Sequence, residues 1–100
     1  MKKIINGKKY DTETAEYILG YINNVGDLDY IEEDLYKKTN GEFFKIGKGG
    51  PLSSYSWGSD GQRNAGGPTV IPLTDEEARI FVEVHGEVED YEKLFGEVEE

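Results

Sequence analysis

The stretch from Asp34 to Gly50, DLYKKTNGEFFKIGKGG, constrains this chain more than any other, because two apolar-bearing runs flank Asn40-Gly41 and the second empties into glycines. Asn-Gly between strand-like runs is the strongest short-range signal for a β-hairpin: the tight turn needs positive φ, which these two residues adopt at least steric cost. Two registers are open. A two-residue Asn40-Gly41 loop sets Leu35 opposite Ile46 and Lys37 opposite Phe44, with Leu35, Phe44 and Ile46 on one face and Tyr36 and Phe43 on the other; this is the preferred reading. A three-residue loop with Gly41 as the left-handed residue of a bulge pairs Tyr36 with Phe44 instead. Either ribbon is marginal alone in water and needs cover from other elements.

That cover is sought in three amphipathic stretches. Asp11 or Thr12 can cap a helix, and Ala15, Ile18, Leu19 and Ile22 recur at helical spacing, which predicts a helix over residues 12–24. Thr74 with Glu77 forms a capping box ahead of Ala78, Phe81, Val82 and His85, so a helix is expected from Thr74 to His85, stopped by a left-handed Gly86. A second short helix follows, with Val88, Tyr91, Leu94 and Phe95 on one side. Asn6-Gly7 marks a small hairpin or turn near the start, and Thr69 to Leu73 reads as a short strand that Pro72 confines to an edge or to its end. The expectation is one α+β domain over residues 1–100: a small antiparallel sheet of three to four strands built on the central hairpin, covered by an N-terminal helix and two short C-terminal helices. The expected core is Ile18, Leu19, Ile22, Leu35, Phe44, Ile46, Val70, Ile71, Phe81 and Val82.

Gly47 to Gly67 holds seven glycines and four serines in 21 residues and cannot be a regular element. Loops of this length are usually functional or disordered, and this one contains Tyr55 and the chain's only tryptophan, Trp57. Both are candidate partner-binding residues, since aromatics dominate interface hot spots; Trp57 packed on the sheet is the alternative.

Charge narrows the classes of function. The net charge is −10, yet residues 1–50 nearly balance, with eight Lys and nine acids, while residues 74–100 carry eleven acids against two bases, a local charge of −9. Such a segment repels nucleic acid and attracts a basic partner at long range. Glu76, Glu83, Glu87, Asp90 and Glu97 are the acids expected to form a partner-binding surface; an acidic, solvated helical tail is the bland alternative.

Catalytic and metal readings are weak throughout. No Cys is present, His85 is the only histidine, and no G-x-S-x-G elbow joins it to Ser53, Ser54, Ser56 or Ser59. The acids of Asp27 to Glu33 lack the glycine and glutamate spacing of a calcium loop and read better as a solvated strand edge. Gly47-Lys48-Gly49-Gly50 matches neither phosphate-binding glycine pattern. No cofactor or metal is expected, and no enzymatic activity. The lack of a long apolar run or a signal peptide fits a cytoplasmic protein that does not span a membrane.

Three blocks carry a resemblance: INGKKYDTETA (Ile5 to Ala15), EEDLYKKTNGEFF (Glu32 to Phe44) with GKGGPLSSY (Gly47 to Tyr55), and IPLTDEEA (Ile71 to Ala78). In that order they resemble a family of small acidic proteins carried by plasmids, conjugative elements and prophages of Firmicutes. Some of these look like anti-CRISPR proteins that inhibit the RNA-guided nuclease of type II-A systems. The resemblance implies a non-enzymatic nuclease inhibitor acting in the bacterial cytoplasm, whose partner is a protein with a basic groove and not nucleic acid itself. It assigns no functional residue by position. The alternative is a mobile-element accessory that acts on nucleic acid, as an enzyme or an antitoxin-like regulator; convergence of Lys2, Lys3, Lys8, Lys9, Lys37, Lys38, Lys45 and Lys48 on one face would favour it.

Overall fold

The computed structural model describes residues 1–50, 52–53 and 68–99. Its elements are strands β1 (Lys2–Ile5), β2 (Lys8–Asp11), β3 (Glu16–Asn23), β4 (Ile31–Lys37), β5 (Phe43–Gly49) and β6 (Thr69–Leu73), then helices α1 (Asp75–His85) and α2 (Val88–Phe95). Strands β3 to β6 form a four-stranded antiparallel sheet in sequence order, and β1 and β2 form a separate two-stranded ribbon.

The central hairpin is β4–β5, and it takes the three-residue register. Tyr36 pairs with Phe44, Leu35 with Lys45 and Lys37 with Phe43. Only Gly41 in the loop has positive φ (93°), whereas a two-residue type I′ turn would need it at Asn40 too. The loop closes through Lys38 N–H to Glu42 O (2.7 Å), Gly41 N–H to Lys38 O (2.9 Å) and Glu42 N–H to the Asn40 Oδ1 acceptor (3.0 Å). The preferred two-residue register is therefore overturned and the faces change accordingly, because strand side chains alternate. Leu35, Phe43 and Lys45 share one face; Tyr36, Phe44 and Ile46 share the other.

Each face has its own core. On one side Leu35 and Phe43 pack with Ala78, Phe81 and Val82 of α1, joined by Leu19 and Tyr21 of β3 and Tyr91, Leu94 and Phe95 of α2. On the other, Phe44 and Val70 pack with Tyr10 of the ribbon, flanked by Ile5, Tyr36 and Ile46. Phe44 is fully buried between the Tyr36 ring, stacked 5.3 Å away, and the Tyr10 ring, edge-on at 5.4 Å. The molecule is thus a ribbon, a sheet and a pair of helices in three layers.

The expected helix over residues 12–24 does not form. Asp11 does cap, accepting from Glu13 N–H through Oδ1 (2.9 Å) and from Ala15 N–H through its carbonyl (3.1 Å), but the turn is not continued and β3 begins at Glu16. Two physical reasons favour the strand. Tyr17, Ile18, Tyr21 and Ile22 are aromatic or β-branched, which suits a pleated surface, and Gly20 penalises a helix interior. A bulge between Tyr17 and Leu19 in the pairing with β4 lets Ile18 and Leu19 both pack toward the helices, while Ala15 packs on the ribbon side and Ile22 is exposed, so the four residues read as one stripe divide among three environments.

Other expectations need smaller corrections. Ile22 is 51% exposed and outside the core, Ile18, Leu19, Ile46 and Ile71 are half-buried, and Tyr10, Phe43 and Ala78 are buried instead. Gly86 ends α1 in an extended conformation (φ −101°); glycine is needed there because a Cβ would press on Leu19 and the Val82 carbonyl. Val88 is exposed rather than packed with Tyr91, Leu94 and Phe95. Asp27 to Tyr30 turn rather than run as a strand edge, and Ile31 to Glu33 open the central strand β4. Gly47 to Gly49, read as the start of the irregular stretch, instead complete β5, and residues 54–67 of that stretch lie outside the described residues. Three local expectations hold. Asn6-Gly7 makes a two-residue turn with positive φ at both residues (51° and 78°), β6 lies at the sheet edge with Pro72 within it, and the Thr74–Glu77 capping box is present.

Candidate functional site: an acidic helical surface

Helix α1 places its acids by period. Ala78, Phe81 and Val82 are buried against the sheet, so Glu76 and Glu83, seven residues apart, share its exposed side. The chain then reverses at Gly86 into α2, which brings exposed Glu87 beside Glu83. These two carboxylates and Glu92 rim a groove of about 240 Å³ whose other walls are Val82, Gly86, Val88, Tyr91 and Val98. The C-terminal tail closes the groove by folding back after Gly96: Val98 N–H donates to Glu92 Oε2 at 3.2 Å, and Gly96 N–H donates to Glu92 O at 2.9 Å.

The five acids named from the sequence do not form one cluster. Glu83 and Glu87 line the groove. Glu76 lies about two helical turns away on the exposed side of α1, and Glu97 is exposed in the tail. Asp90 is half-buried and structural: its Oδ2 accepts from Glu87 N–H at 2.9 Å, capping α2, and it lines a separate small pocket with Glu16, Tyr17, Ile18, Lys93 and Leu94. Glu92, Val88 and Val98 belong to the groove and were not singled out from the sequence. Val88 and Glu92 are neighbours one turn apart on α2, but they meet Glu83 only through the turn at Gly86 and Val98 only through the tail's return, neither of which periodicity reveals. Tyr55 and Trp57 lie outside the described residues.

The lysines fall in two groups: Lys2, Lys3, Lys8 and Lys9 are all exposed on the ribbon, while Lys37, Lys38, Lys45 and Lys48 lie along the central hairpin. Lys45 pairs with Glu33 (2.9 Å) on the helix-covered face, Lys48 pairs with Glu32 (3.1 Å) on the opposite face, and Lys8 and Lys38 both grip Glu42 (2.6 and 3.1 Å) near the hairpin turn. Lys38 also sits 4.3 Å from the centre of the Tyr10 ring. Hydrogen bonds from Lys8, Asn40 and Lys38 hold the Glu42 carboxyl down at about 2.

Two remaining polar spots explain themselves structurally. His85 stacks on Tyr21 (ring centres 3.9 Å apart) and meets Phe81 edge-on at 4.8 Å, which seats it in the helix–sheet contact. Ser53 is buried and donates to Gly50 O at 2.7 Å, and Ser54, Ser56 and Ser59 lie outside the described residues. On the opposite face, Tyr17 hydrogen-bonds Asp34 above Gly20, where a Cβ would come within 2.6 Å of both side-chain oxygens. Burial, reinforced by neighbouring Glu32, pushes the Asp34 carboxyl up, against the opposing pull of that bond and of Lys48. Gly47 and Gly49 are strand residues of β5, and a Cβ at Gly49 would press on the Tyr30 carbonyl and the Ser53 side chain. Among the described residues no group of three or more His, Asp or Glu could hold a metal ion, and no helix is long and apolar enough to cross a membrane.

No protein-family model matches the chain, and neither curated proteins nor solved structures give a match.

Proposed function

We propose that this protein is a non-enzymatic inhibitor of a type II CRISPR RNA-guided nuclease, binding the nuclease through the acidic face of α1, α2 and the tail and so obstructing engagement of guide RNA or DNA in the bacterial cytoplasm. The observation that carries the reading is the segregation of charge. Eleven acids against two bases lie in residues 74–100, and Glu76, Glu83, Glu87 and Glu97 are all exposed while the apolar side of α1 is spent on the sheet. RNA-guided nucleases hold their nucleic acids in a positively charged channel, which such a face complements. The sequence blocks quoted above supply the nuclease as the candidate partner.

The alternative, direct action on nucleic acid, is disfavoured by the ion pairing of four of the eight lysines in residues 1–50: Lys8 and Lys38 are held by Glu42, and Lys45 and Lys48 are paired on opposite faces of the sheet. A pull-down of the purified nuclease with and without guide RNA, paired with a DNA-cleavage assay, tests the proposal. Capture together with loss of cleavage is the expected result; no capture in either state refutes it.

A further inference from the structure

The groove between α1, α2 and the tail differs from the rest of the acidic surface in having an apolar floor. Acids on an exposed helix face are ordinarily just solvated. Here three carboxylates stand around Val82, Val88, Tyr91 and Val98, and the two outer valines remain 69% and 59% exposed. At about 240 Å³ the groove is smaller than the roughly 300–1,000 Å³ of typical small-molecule pockets. Its size and lining suit a single long side chain.

We propose that this groove is a socket for an arginine side chain presented by a basic protein partner. Arginine is the one residue that matches every wall. Its methylene stem covers valine surface, as long cationic side chains do when they bury the stem and keep the charge at the rim. Its planar guanidinium stacks on an aromatic ring and offers five donors to carboxylates, with a weaker hydration shell to remove than an ammonium has. Glu83, Glu87 and Glu92, the last also accepting from Val98 N–H, supply acceptors, and no protein cation is among the groove's lining. An acidic or purely aliphatic occupant would bring no positive charge to a lining that holds three glutamates and no cation. The inference rests on the proposed function for the partner's identity, but not for the chemistry of the socket.

The test is therefore run first without the nuclease. In methyl-resolved NMR, tri-arginine amide at low salt is expected to shift the methyl signals of Val82, Val88 and Val98 saturably, more strongly than tri-lysine amide, while tri-glutamate leaves them unmoved. Replacing Glu83 and Glu87 by Gln is expected to weaken the tri-arginine response roughly tenfold, equivalent to about 1.4 kcal/mol. The charge-neutral filling variant Val88→Trp, at an exposed position, is expected to abolish the response while the rest of the spectrum stays dispersed. Shifts confined to surface amides, or equal for tri-arginine and tri-lysine, or undiminished by Val88→Trp, overturn the socket. If the peptide occupies the groove but the nuclease is not captured, the proposed function fails and the socket stands. If the nuclease binds the parent and Val88→Trp equally well, the socket is not what the nuclease uses, and only the general acidic surface survives.

Discussion

Truncating Phe44 to Ala is expected to remove most of the stability of the fold. The ring is fully buried beneath the ribbon, stacked on Tyr36 and edge-on to Tyr10, with Val70 and Ile46 beside it. Deleting a buried Phe side chain costs about 3–5 kcal/mol in lost transfer energy and cavity, and the two ring contacts place this site toward the upper end. Domains of this size hold about 5–15 kcal/mol in all, and each kcal/mol moves the melting temperature by roughly 4–8 °C. A fall of about 15–30 °C is therefore expected by thermal circular dichroism, with a matching shift of the urea midpoint. Ile22→Ala is the internal control. As a helical stripe residue it would cost about 2–5 kcal/mol, but half-exposed on β3 it is expected to cost under about 1 kcal/mol. A loss below about 1 kcal/mol for Phe44→Ala, or one above about 2 kcal/mol for Ile22→Ala, would refute the three-layer arrangement and the strand at residues 16–23.

Three further outcomes are expected. Gly41→Ala forces a residue with a Cβ into φ +93° and is expected to cost about 1–2 kcal/mol by denaturant melting, whereas Asn40→Ala is expected to cost less; the reverse order would restore the two-residue turn. The Asp34 carboxyl is pushed up by burial and by Glu32, so whatever stability its protonated form contributes is present at low pH and lost as pH rises through the shifted value; Asp34→Asn is then expected to be more stable than the parent at pH 7, with the gap closing in acid. The Glu42 carboxyl is held down, chiefly by Lys8, so its contribution is present above its ordinary value near 4.5 and lost as pH falls toward about 2; Glu42→Gln is expected to flatten the acid limb of a stability-versus-pH curve over that window.

Local chemistry was legible in the sequence wherever one short motif decides the backbone. The Thr74–Glu77 box marked the start of α1, Asn6-Gly7 the first turn, and Pro72 narrowed β6 to an edge or a strand end, of which the edge is observed. The same kind of signal misled at residues 12–24, because Asp11 caps only a single turn and a bulge sets the adjacent Ile18 and Leu19 on one side of a strand. Periodicity alone does not separate those cases; the aromatic and β-branched content of β3 does. The hairpin register hung on whether Asn40 joins Gly41 at positive φ, and the observed register is the one that stacks Tyr36 on Phe44, a contact across strands. The candidate site was legible as charge but not as shape. Glu83 and Glu87 stood out, while Glu92, Val88 and Val98 gain meaning only when the tail returns to α2, and Asp90 proved to be a helix cap.

The capping role of Asp90 decides which acids can be reversed in the measurement that bears most directly on the proposed function. Reversing Asp90 to Lys would disturb the start of α2, so the informative variant reverses Glu76, Glu83 and Glu87, all exposed, to Lys. Association of parent and variant with the purified nuclease is followed by biolayer interferometry across ionic strength, with circular dichroism as the check on folding. Charged surfaces chiefly set the association rate, and the Debye length shrinks from about 30 Å at 0.01 M to about 8 Å at 0.15 M. The expected result is a parent rate that falls steeply with salt and a folded variant that associates at least about tenfold more slowly at low salt. A rate insensitive to salt, with the variant still fully inhibitory, would contradict the account.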